Sequence, residues 1–182
     1  MARSMGPAAR DVELAQLNAI LQPLHLQIRE IQSDGNCLFR ALADQLSCTA
    51  SSAEKRCLDH VSLRVLAAQH ISAHKDEFEP YLEEGTNFTT YCQRIASSIP
   101  VAGADVLWGG QLEIHALSVC LGMVIEVYGA EAPVLRMGSR GASEGAPSDS
   151  NNDGILRISY NAHFFTLGAH YNSVIRIPEC PP

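Results

Sequence analysis

Cys37 closes the stretch S-D-G-N-C, where a small polar loop, Ser33 to Asn36, gives way to residues spaced for one helical face: Leu38, Ala41, Leu42 and Gln45–Leu46. A first-turn cysteine lies beside unpaired backbone N–H groups and the positive end of the helix dipole. Both favour the thiolate, which is the nucleophilic form. Gly35 lets the preceding loop bend so that N–H groups can turn toward a developing oxyanion. Such a thiol needs a base, and Cys–His pairs are adjacent in space rather than in sequence.

Seven histidines compete for that role. His25 falls on the polar side of an alternating stretch. His60, His70 and His74 share a long helical segment, His115 lies within another helix, and His163 is near a turn. His170 differs, because H-Y-N-S-V-I-R-I places it just before a strand with Asn172 two residues on. A period of two sets both on one face, so the Asn172 amide can accept from one ring nitrogen and leave the other toward a thiol. On spacing alone two readings stand, a catalytic Cys37–His170–Asn172 set and a structural cysteine with a chance H-x-N pair.

The elements that must position these residues follow from periodicity. Residues Met1 to Arg10 show no period and read as a disordered lead. Asp11 caps a helix through Leu21, with Leu14, Leu17, Ile20 and Leu21 on its apolar face and Pro23 ending it. Leu24, Leu26 and Ile28 alternate with polar residues as a strand leading into the Ser33–Asn36 loop. Longer helices are expected over Glu54 to Phe78 and Phe88 to Ile99. Gly109-Gly110 opens a further helix that stops at Gly122, a suitable C-terminal glycine. Strands follow at Met123–Tyr128, Ile155–Tyr160 and Ser173–Ile177. Gly138 to Gly154 is a tract of small and polar residues and reads as a mobile insert.

Composition narrows the function. With 182 residues the chain suits one domain, spanning about 11–178 with a short tail at 179–182. Thirteen basic against twenty acidic residues give a formal charge of −7, which disfavours binding to a phosphate backbone. No nucleic-acid partner is expected. The six cysteines form no C-x-x-C pair and no H-E-x-x-H occurs, so no metal site or cofactor is expected. No apolar run suggests a signal peptide or a membrane span, and the thiols read as free in a reducing, cytoplasmic or nuclear setting.

Three motifs in order, D-G-N-C-L-F-R-A at Asp34–Ala41, W-G-G-Q-L-E at Trp108–Glu113 and H-Y-N-S-V at His170–Val174, resemble the ovarian-tumour (OTU) family of deubiquitinating cysteine proteases. The W-G-G-Q-L-E wording is most similar to OTUD members that carry an N-terminal coiled coil. The resemblance implies an α+β, papain-like fold, with helices around a small, mostly antiparallel sheet. It also implies a monomer that cleaves after the C-terminal glycine of ubiquitin, with ubiquitin and polyubiquitin chains as partners. Cys37 would be the nucleophile, His170 the acid–base and Asn172 its orienter. Asp34 matches a loop aspartate of the family's active site, within the oxyanion-side loop Ser33, Gly35 and Asn36. Trp108, Gly109 and Gly110 match a substrate-binding segment. Glu79, Glu83 and Glu84 are candidate contacts for ubiquitin's basic face. Two alternatives keep the fold: a non-catalytic ubiquitin-binding module, and a protease for another ubiquitin-like modifier.

Deleting Ser139 to Asn152 is expected to leave the melting temperature almost unchanged, because each doubling of loop length costs only about 0.6 kcal/mol. A large drop on calorimetry would show that the tract is ordered.

Overall fold

The computed structural model describes residues 9–49, 58–100, 105–138, 154–165 and 168–178. The interior of the 138–154 insert, the first eight residues and the tail from 179 lie outside them.

The chain enters through helix α1, Ala9–Leu21, whose buried stripe is Glu13, Leu17 and Leu21. The helix starts ahead of the expected lead boundary, so Asp11 lies within its first turn instead of capping it, and the expected apolar face is rotated: Leu14 and Ile20 flank the stripe half-buried, and Glu13 joins it. A single turn at Gln22–Leu24 carries Pro23, and His25 follows in the left-handed conformation with φ 55°. His25 therefore precedes strand β1, Leu26–Arg29, instead of sitting on its polar side. Helix α2, Cys37–Thr49, begins at Cys37 itself.

The long helix expected through Phe78 is interrupted. Asp59 caps helix α3, His60–Ala73, by accepting the Ser62 N–H at 2.8 Å, and Lys75–Phe78 forms a separate turn, α4. The cap competes locally with any extension toward the N-terminus. Residues 50–57 of the expected helix lie outside the described residues. Asn87 likewise caps α5, Phe88–Ala96, through the Thr90 N–H at 2.9 Å. Helix α6, Gln111–Leu121, ends at Gly122 with φ 63°.

Strands β2 (Val124–Gly129), β3 (Leu135–Met137), β4 (Ile155–Phe165) and β5 (Gly168–Arg176) complete a five-stranded sheet in the order β1-β5-β4-β2-β3. Only β2 and β4 run parallel. The short β3 was not expected, and β5 begins early enough to include His170. Pairing with β4 supplies the order that Gly168 and Ala169 lack as strand formers.

The sheet is covered on both faces. Ile125, Ile158 and Tyr171 pack with Leu38, Phe39 and Leu42 of α2 and Ile114 and Leu117 of α6. Tyr128 and Val174 pack with Leu17 and Leu21 of α1. Gln45 pins α2 to the strands: its Nε2 donates to Ser173 Oγ and to the Val174 carbonyl, both at 2.8 Å, and its Oε1 accepts the Arg157 N–H at 2.8 Å.

Arg64 of α3 is fully buried. Its guanidinium donates to Asn36 Oδ1 at 2.6 Å, to the Gly35 carbonyl at 2.8 Å, and to the Ile95 and Leu107 carbonyls at 3.0 Å each. Burial pushes its pKa down to about 10, and the Glu113 and Asp34 charges oppose that. Each buried acceptor left without a donor costs about 1–3 kcal/mol. Arg64→Leu orphans four at once, so urea denaturation is expected to show a loss above about 4 kcal/mol. A loss under about 1 kcal/mol would mean water replaces the guanidinium without penalty.

Candidate active site

Gly35 adopts φ +79°, and a Cβ there would stand 3.3 Å from Trp108 Nε1 and from Val106 Cβ. The loop therefore needs glycine both for its left-handed turn and for the indole lying over it. Asp34 braces the same loop. Its Oδ1 accepts the Asn36 N–H at 3.0 Å, and its Oδ2 accepts Arg40 Nε at 3.0 Å and Nη2 at 2.5 Å. Burial raises the Asp34 carboxyl, but the bonds from Arg40 and Asn36 outweigh it and hold the group below the ordinary carboxylate range. Asn36 is buried, spanning Arg64, the Asp34 carbonyl and the Ser98 carbonyl. Its own N–H is committed to Asp34, so of the loop's donors the Cys37 N–H, at the start of α2, is the one set by the helix terminus. Ser33 is exposed and lines the cavity beside Cys37.

On the sheet, His170 Nε2 lies 3.1 Å from the Ile31 carbonyl and 3.1 Å from Asn172 Oδ1. Both partners are acceptors: the Asn172 oxygen also takes the Ile31 N–H at 2.9 Å, which fixes the amide's orientation. Nε2 therefore carries the proton and Nδ1 the lone pair. Asn172 Nδ2 donates in turn to Asn161 Oδ1 at 3.3 Å. Asn172 thus lies beside the His170 ring, whereas the Asp34 carboxylate is taken up by Arg40 and the Asn36 N–H of the loop.

Cys37 sits where two cavities meet. One, about 680 Å³, is lined by Ser33, Asp34, Gly35, Trp108 and His170 together with Cys37. The other, about 490 Å³ and mostly apolar, runs past Cys37 over Trp108, Gly109, Gly110, Tyr160 and Tyr171. An extended chain crossing the thiol would thus find a trough on either side. Trp108 is 46% exposed, a wall of both cavities instead of a core aromatic. The two glycines divide their work. A Cβ on Gly109 would collide with Leu38 at 2.7 Å and Phe39 at 2.8 Å, so Gly109 lets the backbone press onto α2. Gly110 has room, and its N–H donates to Glu113 Oε2 at 2.7 Å while Tyr91 donates its hydroxyl to Oε1. Glu79, Glu83 and Glu84 are exposed and line neither cavity, and Glu79 pairs with Lys75 at 3.3 Å.

Sequence reasoning missed Arg64, Asn161 and Glu113 as supports and Tyr160 and Tyr171 as walls. A visible signal existed for Glu113, which stands three residues after the glycine that opens α6, the spacing of a helix cap. Among the described residues no group of three or more His, Cys, Asp or Glu could hold a metal ion, and Cys37, Cys48, Cys92 and Cys120 are free thiols.

A helix-start cysteine, a histidine with a fixed tautomer and a two-sided trough have the build of a cysteine protease. The chain matches the OTU-like cysteine protease family over residues 32–171, and it belongs to that family. It is 33% identical to "Deubiquitinase OTUD6B" of Homo sapiens over 178 residues, covering 93% of this chain and 53% of that protein. It is 31% identical to "Ubiquitin thioesterase otu2" of Schizosaccharomyces pombe over 171 residues, 91% of this chain and 51% of that one. The chain thus spans about half the length of these curated relatives. The fold matches the solved OTUD1 OTU domain with a TM-score of 0.60 at 23% identity, over 91% of this chain and 96% of that one. It also matches an OTU deubiquitinase from Wolbachia pipientis wMel bound to ubiquitin, TM-score 0.58 at 12% identity, over 85% and 98%. The α+β OTU fold expected from sequence is the fold observed.

The helix terminus does not settle the protonation state of Cys37. Burial pushes the thiol up, more than the Tyr171 and Leu38 N–H groups pull it down, and the Asp34 charge adds to the rise. Burial likewise pushes His170 down, against the pull of Ile31 and Asn172. Both shifts favour the uncharged forms, thiol and imidazole. Alkylation of Cys37 by iodoacetamide, followed by peptide mapping, is therefore expected to rise with pH through a midpoint above the ordinary thiol range. A midpoint near pH 5–6 would reveal a preformed thiolate–imidazolium pair, of the kind that lowers catalytic cysteines well below about 8.5.

Proposed function

We propose that the chain is a deubiquitinating cysteine protease that hydrolyses isopeptide and peptide bonds after the C-terminal glycine of ubiquitin. The observation that carries this reading is the sharing of one cavity by Cys37 and His170, with Nε2 of His170 held by Asn172 so that Nδ1 is the basic nitrogen. Relatives named deubiquitinase and ubiquitin thioesterase support the substrate class. Relatives named OTUD6B and OTU domain-containing protein 6A support the OTUD subgroup, and the W-G-G-Q-L-E wording supports, within it, the coiled-coil-bearing members. A cytoplasmic monomer acting on polyubiquitin chains, with no nucleic-acid partner, completes the proposal.

In this mechanism the Cys37 proton passes to His170 Nδ1 as Sγ bonds to the glycine carbonyl carbon. The carbonyl oxygen takes the electron pair and faces the Cys37 N–H at the start of α2. The carbon–nitrogen bond then breaks, the imidazolium returns its proton to the leaving amine, and a thioester remains. Water, deprotonated by the same nitrogen, releases the ubiquitin carboxylate and the Cys37 thiol. Proton transfer by such a base contributes about 10²–10⁴-fold. The Asn172 contribution acts through that base, so its loss removes only part of it.

With a fluorogenic ubiquitin C-terminal substrate, Cys37→Ala is expected to abolish turnover and His170→Ala to approach it. Asn172→Ala should lose less than either, within the roughly 10²–10⁴-fold span of acid–base catalysis. Asp34→Ala should lower kcat through loss of the loop's brace. Asn172→Ala at wild-type rate beside an inert Asp34→Ala would transfer the third role to Asp34. Labelling of any thiol other than Cys37 by a ubiquitin electrophile would overturn the nucleophile.

A further inference from the structure

Helix α1 precedes residue 32, where the family match begins, yet it lies against the strand pair that carries His170. In β5, Tyr171 packs in the α2 cluster and Val174 packs in the α1 cluster. Alternation therefore sets His170 and Asn172 on the α1 side of the sheet. Glu13, only 7% exposed, is the first residue of α1's buried stripe. Its Oε1 accepts the Ala162 N–H at 2.6 Å and its Oε2 accepts the His163 N–H at 3.0 Å.

Those two N–H groups lie where the β4–β5 ladder loses register, immediately after Asn161 pairs with His170. Strand donors at an irregularity have no ladder partner and need another acceptor. Asn161 is the next link. Its Oδ1 receives Ser159 Oγ at 3.2 Å and Asn172 Nδ2 at 3.3 Å, and the same Asn172 amide presents its oxygen to His170 Nε2. Leu17 and Leu21 already anchor α1 through apolar contact, so a buried carboxylate in the same stripe does something packing alone would not.

We propose that Glu13 is a positioning residue for His170. By clamping the β4 backbone at Ala162 and His163 it fixes Asn161, and through Asn161 the Asn172 amide, so that the His170 proton stays on Nε2. The inference rests on the reading of His170 as the acid–base group and adds α1 to the apparatus that serves it.

The test compares the full chain with Glu13→Ala, Glu13→Gln, and Leu17→Val, which loosens α1 without touching the clamp. Nitrogen-resolved NMR of the imidazole reads the His170 tautomer without any substrate, and kcat and KM are measured separately on the ubiquitin substrate. Glu13→Ala is expected to shift His170 from the Nε2–H form toward a mixture and to lower kcat by about 10- to 100-fold with KM little changed, the scale of a small misplacement. Glu13→Gln keeps one acceptor and should fall between. If Glu13→Ala does not fold, the Glu13→Gln tautomer decides by the same criterion. Leu17→Val should lower the melting temperature and leave the tautomer as in wild type. A wild-type tautomer in the Glu13 variants, or an equal shift in Leu17→Val, would overturn the proposal. A tautomer shift in a protein whose wild type does not cleave ubiquitin would uphold the clamp and reject the enzymatic reading instead.

Discussion

A single guanidinium, that of Arg64, holds together the three chain segments that border the thiol. Loops that dive beneath a cleft bring carbonyls away from water, and each needs a donor. Gly35, Ile95 and Leu107 bring theirs from the Cys37 loop, the end of α5 and the run into Trp108, and Asn36 adds its side-chain oxygen. A planar cation with five donors can satisfy all four from one position, and the Phe39 ring at 4.4 Å receives its face. Lysine could not distribute its bonds in that plane. The buried Glu113 carboxylate lends the cation a counter-charge while binding Gly110 and Tyr91.

The site also divides between the faces of the sheet. The cysteine comes from a helix packed on one side through apolar contact and the Gln45 staple. The histidine and its amides belong to a buried polar strip on the other side, Ser159, Asn161, Asn172 and His170, all almost fully enclosed. An apolar layer tolerates small shifts, whereas a chain of amides with each oxygen and nitrogen assigned does not. Orientation is therefore strictest where proton position matters.

Features set by local rules could be read from the sequence. The start of α2 at Cys37, the glycine stop at 122 and the common face of His170 and Asn172 each follow from a period or a cap within a few residues. Arg64 could not be read that way. Between Leu63 and Val65 on an amphipathic helix it looks like an ordinary solvated cation, and its acceptors lie 28 to 43 residues distant. Glu13 hid for the same reason, since its partners are 149 and 150 residues away. The burial that pushes the Cys37 thiol up and His170 down could not be read either, because the helix dipole is visible in sequence and desolvation is not.

Strand β5 is the last of the described strands along the chain and yet pairs on both sides, with β1 and with β4. During synthesis β1 must wait for a neighbour encoded nearly the whole domain later, which makes the closing of the sheet a long-range and slow event. A ribosome-bound fragment that stops before β5 would carry the Cys37 thiol without His170 and would leave β1 unpaired beside a β2-β3-β4 remnant. The cavity that Cys37 and His170 share is then a property of the finished domain alone.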